Sequence, residues 1–335
     1  MNNLRIVLAS RPAAEPTTAN FRLEEVALSP LEDGQVRVKH HYLSLDPYMR
    51  GRMNDAKSYA QPQPLNETMI GGTVGEVVES RNSKFAVGDK VVGMGGWQQF
   101  STASGKGDIS KVDTTHIPLS AYLGSVGMPG MTAWYGLMKI CEPKAGETVC
   151  VDAASGAVGS VVGQLAKLKG MHVVGIAGGV EKCAYVKNEL GFDDCIDYKA
   201  FPDPKAFYSA LKAVTPRGID CHFENVGGTI MDAVMLRMNA FGRVAMCGMI
   251  SGYNGAPIPM MAPQLILQSR LKFQGFIVSE HMNLWPEGLT ELGGYVASGK
   301  IKFRESIADG LANAPQSFLD LLKGKNFGKQ LVKLV

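Results

Sequence analysis

The chain lacks an excess of either charge: 34 Lys and Arg stand against 31 Asp and Glu in 335 residues, a formal net charge of +3. With no basic run, that balance argues against nucleic acid or an anionic membrane surface as a partner. Long apolar runs are also missing, because glycine and charge interrupt each of them well short of a membrane span. Met1 to Ser10 has neither a long apolar core nor a small-residue cleavage site, so no signal peptide is read and the protein reads as cytoplasmic. Cysteine is sparse and scattered, at 141, 150, 183, 195, 221 and 247. No two lie within four residues, which excludes zinc-ribbon spacing. Cys150, Cys195, Cys221 and Cys247 fall in expected buried strands and read as small core residues. His116, His172 and His222 sit beside apolar or strand positions, and no motif supports a Ser–His–Asp triad.

What remains is a globular composition, 45% hydrophobic and 19% charged, in a chain long enough for about two domains. Residues 1–126 alternate short β-like runs with glycine and proline turns, as at 35–39, 73–79 and 89–93. Such spacing without long helices predicts a partly open β-barrel. Two stretches there look unlike scaffold: Ser44-Leu45-Asp46-Pro47-Tyr48-Met49-Arg50-Gly51, and Gly71-Gly72-Thr73-Val74-Gly75, where the backbone needs close approaches. From Met128 strands and helices alternate. Strands are expected at 148–152, 172–176, 194–196, 219–223, 243–247 and 272–278, with crossovers at 160–169, 180–190, 205–214 and 228–239. That order predicts an α/β fold with a doubly wound parallel sheet. Residues 248–268 read as a loop followed by a helix. Then come a helix at 285–298, a strand at 301–307, a helix at 314–323 and a strand at 329–334.

The centre of this pattern is a strand (148–152), a small-residue turn (153–159), a helix (160–169) and a second strand (172–175). Ala154, Gly156 and Gly159 occupy the three small-residue places of a dinucleotide fingerprint. The middle glycine admits a pyrophosphate to the backbone, the last lets the helix pack on the strand, and the helix N-terminus favours the phosphates. An ordinary tight turn is the alternative, and the strand–turn–helix–strand order argues against it. NAD enzymes place an acid at the tip of the second strand. Here that tip reads Ala177-Gly178-Gly179-Val180, with Lys182 within reach of a 2′-phosphate, so NADPH is the expected cofactor. Glu181 beside it weighs the other way. Asn225-Val226-Gly227-Gly228 and Cys247-Gly248-Met249-Ile250 close the fourth and fifth strands at the ligand-binding edge, and read equally as turn chemistry.

These residues resemble the zinc-independent branch of the medium-chain dehydrogenase/reductase superfamily, in its leukotriene B4 dehydrogenase, prostaglandin reductase and plant double-bond reductase group. The resemblance runs nearly end to end. It is carried by 45–51, 127–133, 153–159, 178–182, 224–228, 274–278 and 324–329. It implies a GroES-like β-barrel domain for substrate from 1–126 and 298–335, and a Rossmann NADPH domain from 127–297. It also implies a homodimer, an active site between domains, and reduction of the carbon–carbon double bond of an α,β-unsaturated ketone or aldehyde. By the same resemblance Ala154, Gly156, Val158 and Gly159 hold the dinucleotide, and Gly178, Lys182 and Tyr198 its 2′-phosphate end. Asn225, Cys247, the Phe276-Ile277-Val278 strand and Asn326 line it further along. Zinc relatives have a His-Glu pair where this chain has Gly71-Gly72-Thr73, and a cysteine where it has none.

Without a metal, some donor must quiet the oxyanion that develops on the substrate carbonyl. A tyrosine hydroxyl suits this, since it donates without carrying charge. Tyr253 is the first candidate and Tyr48 the second; for each, an aromatic wall residue that only packs is the alternative. A zinc-free quinone reductase and a non-catalytic NADPH-binding protein are the competing functions.

Overall fold

The computed structural model describes residues 2–255 and 258–335. The chain divides into two compact units, Met1–Leu123 with Glu305–Val335, and Gly124–Arg304.

The first unit begins with β1 (Asn2–Leu8) and β2 (Phe21–Ala27), an antiparallel pair. β3 (Val36–Ser44), the short α1 (Tyr48–Arg52), β4 (Thr73–Ser80), β5 (Lys90–Gly93), β6 (Phe100–Ala103) and β7 (Ile109–Lys111) follow. Gly75 lies where β4 crosses β3, and a Cβ there would fall 2.1 Å from the Lys39 carbonyl oxygen, so the close approach read from the sequence is present.

The second unit opens with α2 (Met128–Tyr135), which continues into a π-helical turn at Gly136–Cys141. Then come β8 (Thr148–Val151), α3 (Gly159–Leu168), β9 (His172–Ala177), α4 (Val180–Asn188), β10 (Asp194–Asp197) and α5 (Pro204–Val214). β11 (Ile219–Glu224), α6 (Gly228–Met235), β12 (Met238–Met246), α7 (Gln264–Gln268), β13 (Lys272–Gly275) and α8 (Trp285–Ala297) complete it. All strand pairs in this sheet are parallel, in the order β10-β9-β8-β11-β12-β13. β8 is buried at every residue, as expected of a parallel strand covered by helices on both faces. α5 starts where Asp203 accepts from the Ala206 amide and Pro204 takes the first helical position, a strong start signal.

The chain then returns to the first unit as β14 (Glu305–Asp309), α9 (Ala314–Leu322) and β15 (Lys329–Lys333). Its sheet runs β14-β15-β3-β4-β5-β7, with β6 also on β3; among the described residues the two ends do not pair, which leaves the barrel partly open. The core beside it stacks Phe21 on Trp97 at 5.3 Å and sets Phe318 edge-on to Trp97 at 5.8 Å.

Three boundaries differ from the sequence reading. The helix expected over 228–239 ends at Met235, because Met238 already pairs with Ile219 as the start of a longer fifth strand. The last strand of the parallel sheet stops at Gly275, opposite Met246, the last residue of its neighbour β12. Phe276 and Ile277 therefore lie beyond the strand, and Val278 opens a 3-10 turn. The strand expected from 301 begins at Glu305, because Lys302 is held instead by Gln164, whose side chain bonds both its amide and its carbonyl. Within 248–268 the helix is α7, and residues 256 and 257 lie outside the described residues.

Candidate active site

The turn after β8 is built by backbone constraint. Ala153 has a left-handed φ of 44°, and the Ala154 amide donates to the Ile176 carbonyl at 3.0 Å, fixing the turn against β9. Gly159 opens α3 beneath it: a Cβ there would fall 2.5 Å from the Ala153 carbonyl oxygen. Around Gly156 the only neighbour a Cβ would meet is that same oxygen, at 3.1 Å, which leaves its outer face open. Val158 precedes the helix without a side-chain cap, so the first amides of α3 have no side chain supplying their acceptor.

At the tip of β9, Gly178 lies under Tyr198 and Lys199. A Cβ on Gly178 would meet the Tyr198 hydroxyl and Lys199 Cε at 3.0 Å. Lys182 follows in the first turn of α4, and burial together with the Lys199 charge lowers its ammonium pKa from the usual lysine range. Lys199 against the glycine tip, with Lys182 close enough to feel its charge, makes a site that favours an anion. Sequence reasoning missed Lys199. It also missed Asp197, whose Oδ1 accepts from the Gly179 amide at 2.7 Å and the Lys199 amide at 3.0 Å. The only signal was an Asp-Tyr-Lys run directly after a short strand.

Beyond β11 and β12 the two turns zip together. The Glu224 carbonyl accepts from Cys247 and Gly248, the Asn225 carbonyl from Ile250, and the Val226 carbonyl from Ser251, at 2.9 to 3.2 Å. A 3-10 turn, Ile250–Gly252, then delivers Tyr253. Its hydroxyl folds back against the loop, accepting from the Met249 amide at 3.4 Å, and lies 3.0 Å from where a Gly248 Cβ would be. A side chain at 248 would press on the phenol. Cys247 stands just past β12, not within it as expected; it is half-buried, and burial with the Asp152 and Glu224 charges pushes its pKa up to about 12. Phe276 packs on Tyr135 at 5.4 Å and edge-on to Phe223 at 6.3 Å, and Val278 is buried.

Beneath these turns lies a group the sequence did not single out. Asp152 Oδ1 accepts from the Asn225 amide at 2.7 Å and from its side-chain amide at 3.1 Å. Glu224 Oε1 accepts from the Val226 and Gly227 amides at 2.7 and 2.6 Å. His222 bridges Glu224 Oε2 at 3.0 Å and the Cys150 carbonyl at 3.1 Å.

In the first unit, Tyr48 opens α1, and burial reinforced by the Asp46 carboxylate pushes its phenol pKa well above the ordinary tyrosine range. It is thus a neutral donor. The segment is tied down by Lys329 of β15, whose buried ammonium donates to Asp46 Oδ1 at 2.6 Å and to the Leu45 carbonyl at 2.8 Å. Asn326 turns its side-chain amide onto the Gly328 carbonyl at 2.8 Å.

Residues 4–112 match the family described as the N-terminal domain of oxidoreductase, and residues 157–293 that described as zinc-binding dehydrogenase. The chain is 46% identical to the NADPH-dependent curcumin reductase of Escherichia coli, over 99% of this chain and 97% of that one. The chain belongs to the medium-chain dehydrogenase/reductase family. Prostaglandin reductase 1 of Rattus norvegicus is 45% identical, with 95% of each chain covered. The crystal structure of CurA from Vibrio vulnificus in complex with NADPH superposes with a TM-score of 0.93 at 45% identity, covering 99% of both chains.

The zinc in the second family's description does not fit the residues present. Among the described residues, Asp152, His222 and Glu224 are the one group whose ligand atoms lie within 4.8 Å of one another. Their oxygens and nitrogens are already committed to the Asn225, Val226 and Gly227 amides, to one another and to the Cys150 carbonyl. All three are fully buried. Where family members with zinc carry a His-Glu pair, this chain has Gly71-Gly72-Thr73.

Proposed function

We propose that the chain is an NADPH-dependent reductase of the carbon–carbon double bond of α,β-unsaturated ketones and aldehydes, working without zinc. The observation that carries this reading is the tip of β9, where Tyr198 and Lys199 lie against Gly178 and the Lys199 charge acts on Lys182, with Glu181 the one opposing charge felt by Lys182. Asp197 is turned inward onto two amides. The named activities of the curcumin and prostaglandin reductases agree with it.

In this reading Ala154, Gly156, Val158 and Gly159 receive the pyrophosphate, and Lys182 with Tyr198 the 2′-phosphate. Asn225, Cys247, Phe276, Val278 and Asn326 line the remainder. When bound, NADPH supplies the hydride that reaches the substrate β-carbon. The protein's part is to hold the substrate carbonyl and stabilise the charge that develops on its oxygen. Tyr253 is assigned this role and Tyr48 is the second candidate, with the α-carbon proton coming from solvent or Tyr253. The substrate role falls to the first unit and the cofactor role to the second. Six free thiols suit a reducing, cytoplasmic compartment. Among the described residues no helix is long and apolar enough to cross a membrane. We further assign a homodimer, supported by the single-sided pairing of β13 and by exposed Phe241 and Leu267 close to it.

Turnover of NADPH and NADH with a 2-alkenal, an enone and a quinone, with and without a chelator, tests the reading. Enone and alkenal reduction by NADPH, insensitive to the chelator, is expected. Quinone turnover alone, or activity abolished by chelation, would overturn it.

A further inference from the structure

In the parallel sheet, β8, β9 and β10 build outward on one side and β11, β12 and β13 on the other, so the strand order reverses between β8 and β11. Ligands of such sheets bind in the crevice above that reversal. Asp152 immediately follows β8, and Glu224 is the last residue of β11. Both carboxyls therefore form the floor of the crevice assigned to a polyanionic cofactor. Two bare buried carboxylates there would be heavily penalised by lost hydration, and would also repel the phosphates above them.

The hydrogen-bond pattern indicates how this is avoided. A carbonyl oxygen carries no hydrogen, so His222 Nδ1 must donate to Cys150. The 3.0 Å contact between His222 Nε2 and Glu224 Oε2 then needs a hydrogen of its own. Asp152 Oδ2 and Glu224 Oε1 converge on one amide, Val226, at 3.2 and 2.7 Å, and with ligand atoms of the two carboxyls within 4.8 Å of each other a second hydrogen shared between them removes their repulsion. One hydrogen in each place brings the three side chains to a net charge of zero. The electrostatics agree in direction. Burial and the Glu224 charge push the Asp152 carboxyl well above the usual range. Glu224 is also raised by burial, but His222 and Asp152 outweigh that and hold it at about 2.

We propose that Asp152, His222 and Glu224 form a charge-neutral clamp that positions the Asn225–Gly227 turn and, through it, the loop bearing Tyr253. The mechanical link is continuous. The carboxyls hold the amides of 225, 226 and 227, and the carbonyls of 224, 225 and 226 hold those of 247, 248, 250 and 251. Tyr253 in turn donates its amide to the Ile250 carbonyl at 3.2 Å. These three are positioning residues and not metal ligands, and the inference rests on the cofactor and Tyr253 assignments above.

The test compares Asp152→Ala with Asp152→Asn, whose side-chain oxygen still accepts from Asn225 and whose amide hydrogen stands in for the shared proton. NADPH affinity is read by fluorescence titration, kcat at saturating cofactor, and folding by thermal unfolding. Asp152→Ala is expected to weaken NADPH binding about tenfold and to lower kcat about tenfold. Asp152→Asn is expected to restore both to within about threefold of wild type. In a Tyr253→Phe background the effect of Asp152→Ala on kcat should shrink below about twofold, because the clamp acts through that loop. An Asn variant as impaired as Ala, or full additivity with Tyr253→Phe, would overturn the clamp. Should Asp152→Ala not fold, infrared difference spectra of wild type against Asp152→Asn decide it. A protonated-carboxyl band lost in the variant is expected, and its absence from wild type would refute the shared proton. If the wild type binds no NADPH, the cofactor reading fails while the infrared result still judges the proton.

Discussion

At the scale of single residues, the proposed cofactor preference rests on charge placement. Lys182 and Lys199 act together at the β9 tip, so Lys182→Ala is expected to lower kcat/KM for NADPH about tenfold while leaving NADH nearly unchanged. Paired steady-state assays with the two cofactors read this directly, and equal losses for both would remove the phosphate role. A second residue bears on stability. His40 is 2% exposed with both ring nitrogens lacking a hydrogen-bond partner among the described residues, and burial lowers its pKa from 6.5 to about 3. Between those values the unfolded imidazole takes up a proton that the folded one refuses, so stability is present at neutral pH and lost as pH falls. The slope is about 1.4 kcal/mol per pH unit. His40→Leu should flatten that part of the stability profile in urea unfolding at a series of pH values. An unchanged slope would assign the acid sensitivity elsewhere.

At the scale of elements, the packing of α3 on the β8 turn separates folding from binding. A Cβ at Gly159 would meet only backbone, the Ala153 carbonyl at 2.5 and 3.0 Å and Ala154 Cα at 3.0 Å, so nothing there can rotate away. Gly159→Ala is expected to destabilise the protein by about 2–3 kcal/mol. Gly156→Ala, whose single neighbour is 3.1 Å away, should leave the unfolding midpoint nearly intact and weaken NADPH binding about tenfold. Thermal unfolding and cofactor titration of the two variants should therefore rank them in opposite orders. The elements themselves were largely legible in the sequence. Continuous apolar runs such as Thr148–Val151 and His172–Ala177 mark doubly covered strands, and the small-residue turn between them identifies the cofactor edge. What escaped was set by pairing. Phe276-Ile277-Val278 continues a β-like run, yet the neighbouring strand gives out at Met246, so the ladder ends at Gly275. Asp152 looked like the end of a strand because its partner Glu224 lies far away in sequence, on β11, and only the fold brings the two carboxyls together. Lys199 was hidden in the same way, since its relation to Gly178 exists only across the β9–β10 edge.

At the scale of the whole molecule, the proposed dimer would form on the open side of β13. Among the described residues β13 pairs only with β12, and nearby Phe241 and Leu267 are 67% and 79% exposed, with Arg270 laid over the Phe241 ring. Unpaired edges and exposed apolar side chains invite a second copy. Sedimentation should show a dimer, and Phe241→Glu should shift it toward monomer with the fold intact by circular dichroism. A wild-type monomer at micromolar concentration would rule this out.

The return of the chain to its first unit bears on how the protein is made. β15 sits between β14 and β3, and its Lys329 fastens the Asp46 segment. As the nascent polypeptide leaves the ribosome, the parallel sheet has every strand it needs while the barrel still waits for its last one. The amino-terminal unit, although translated first, is thus expected to complete its sheet later. A premature stop before Lys329 should yield a product whose Rossmann portion survives limited proteolysis while the barrel is digested.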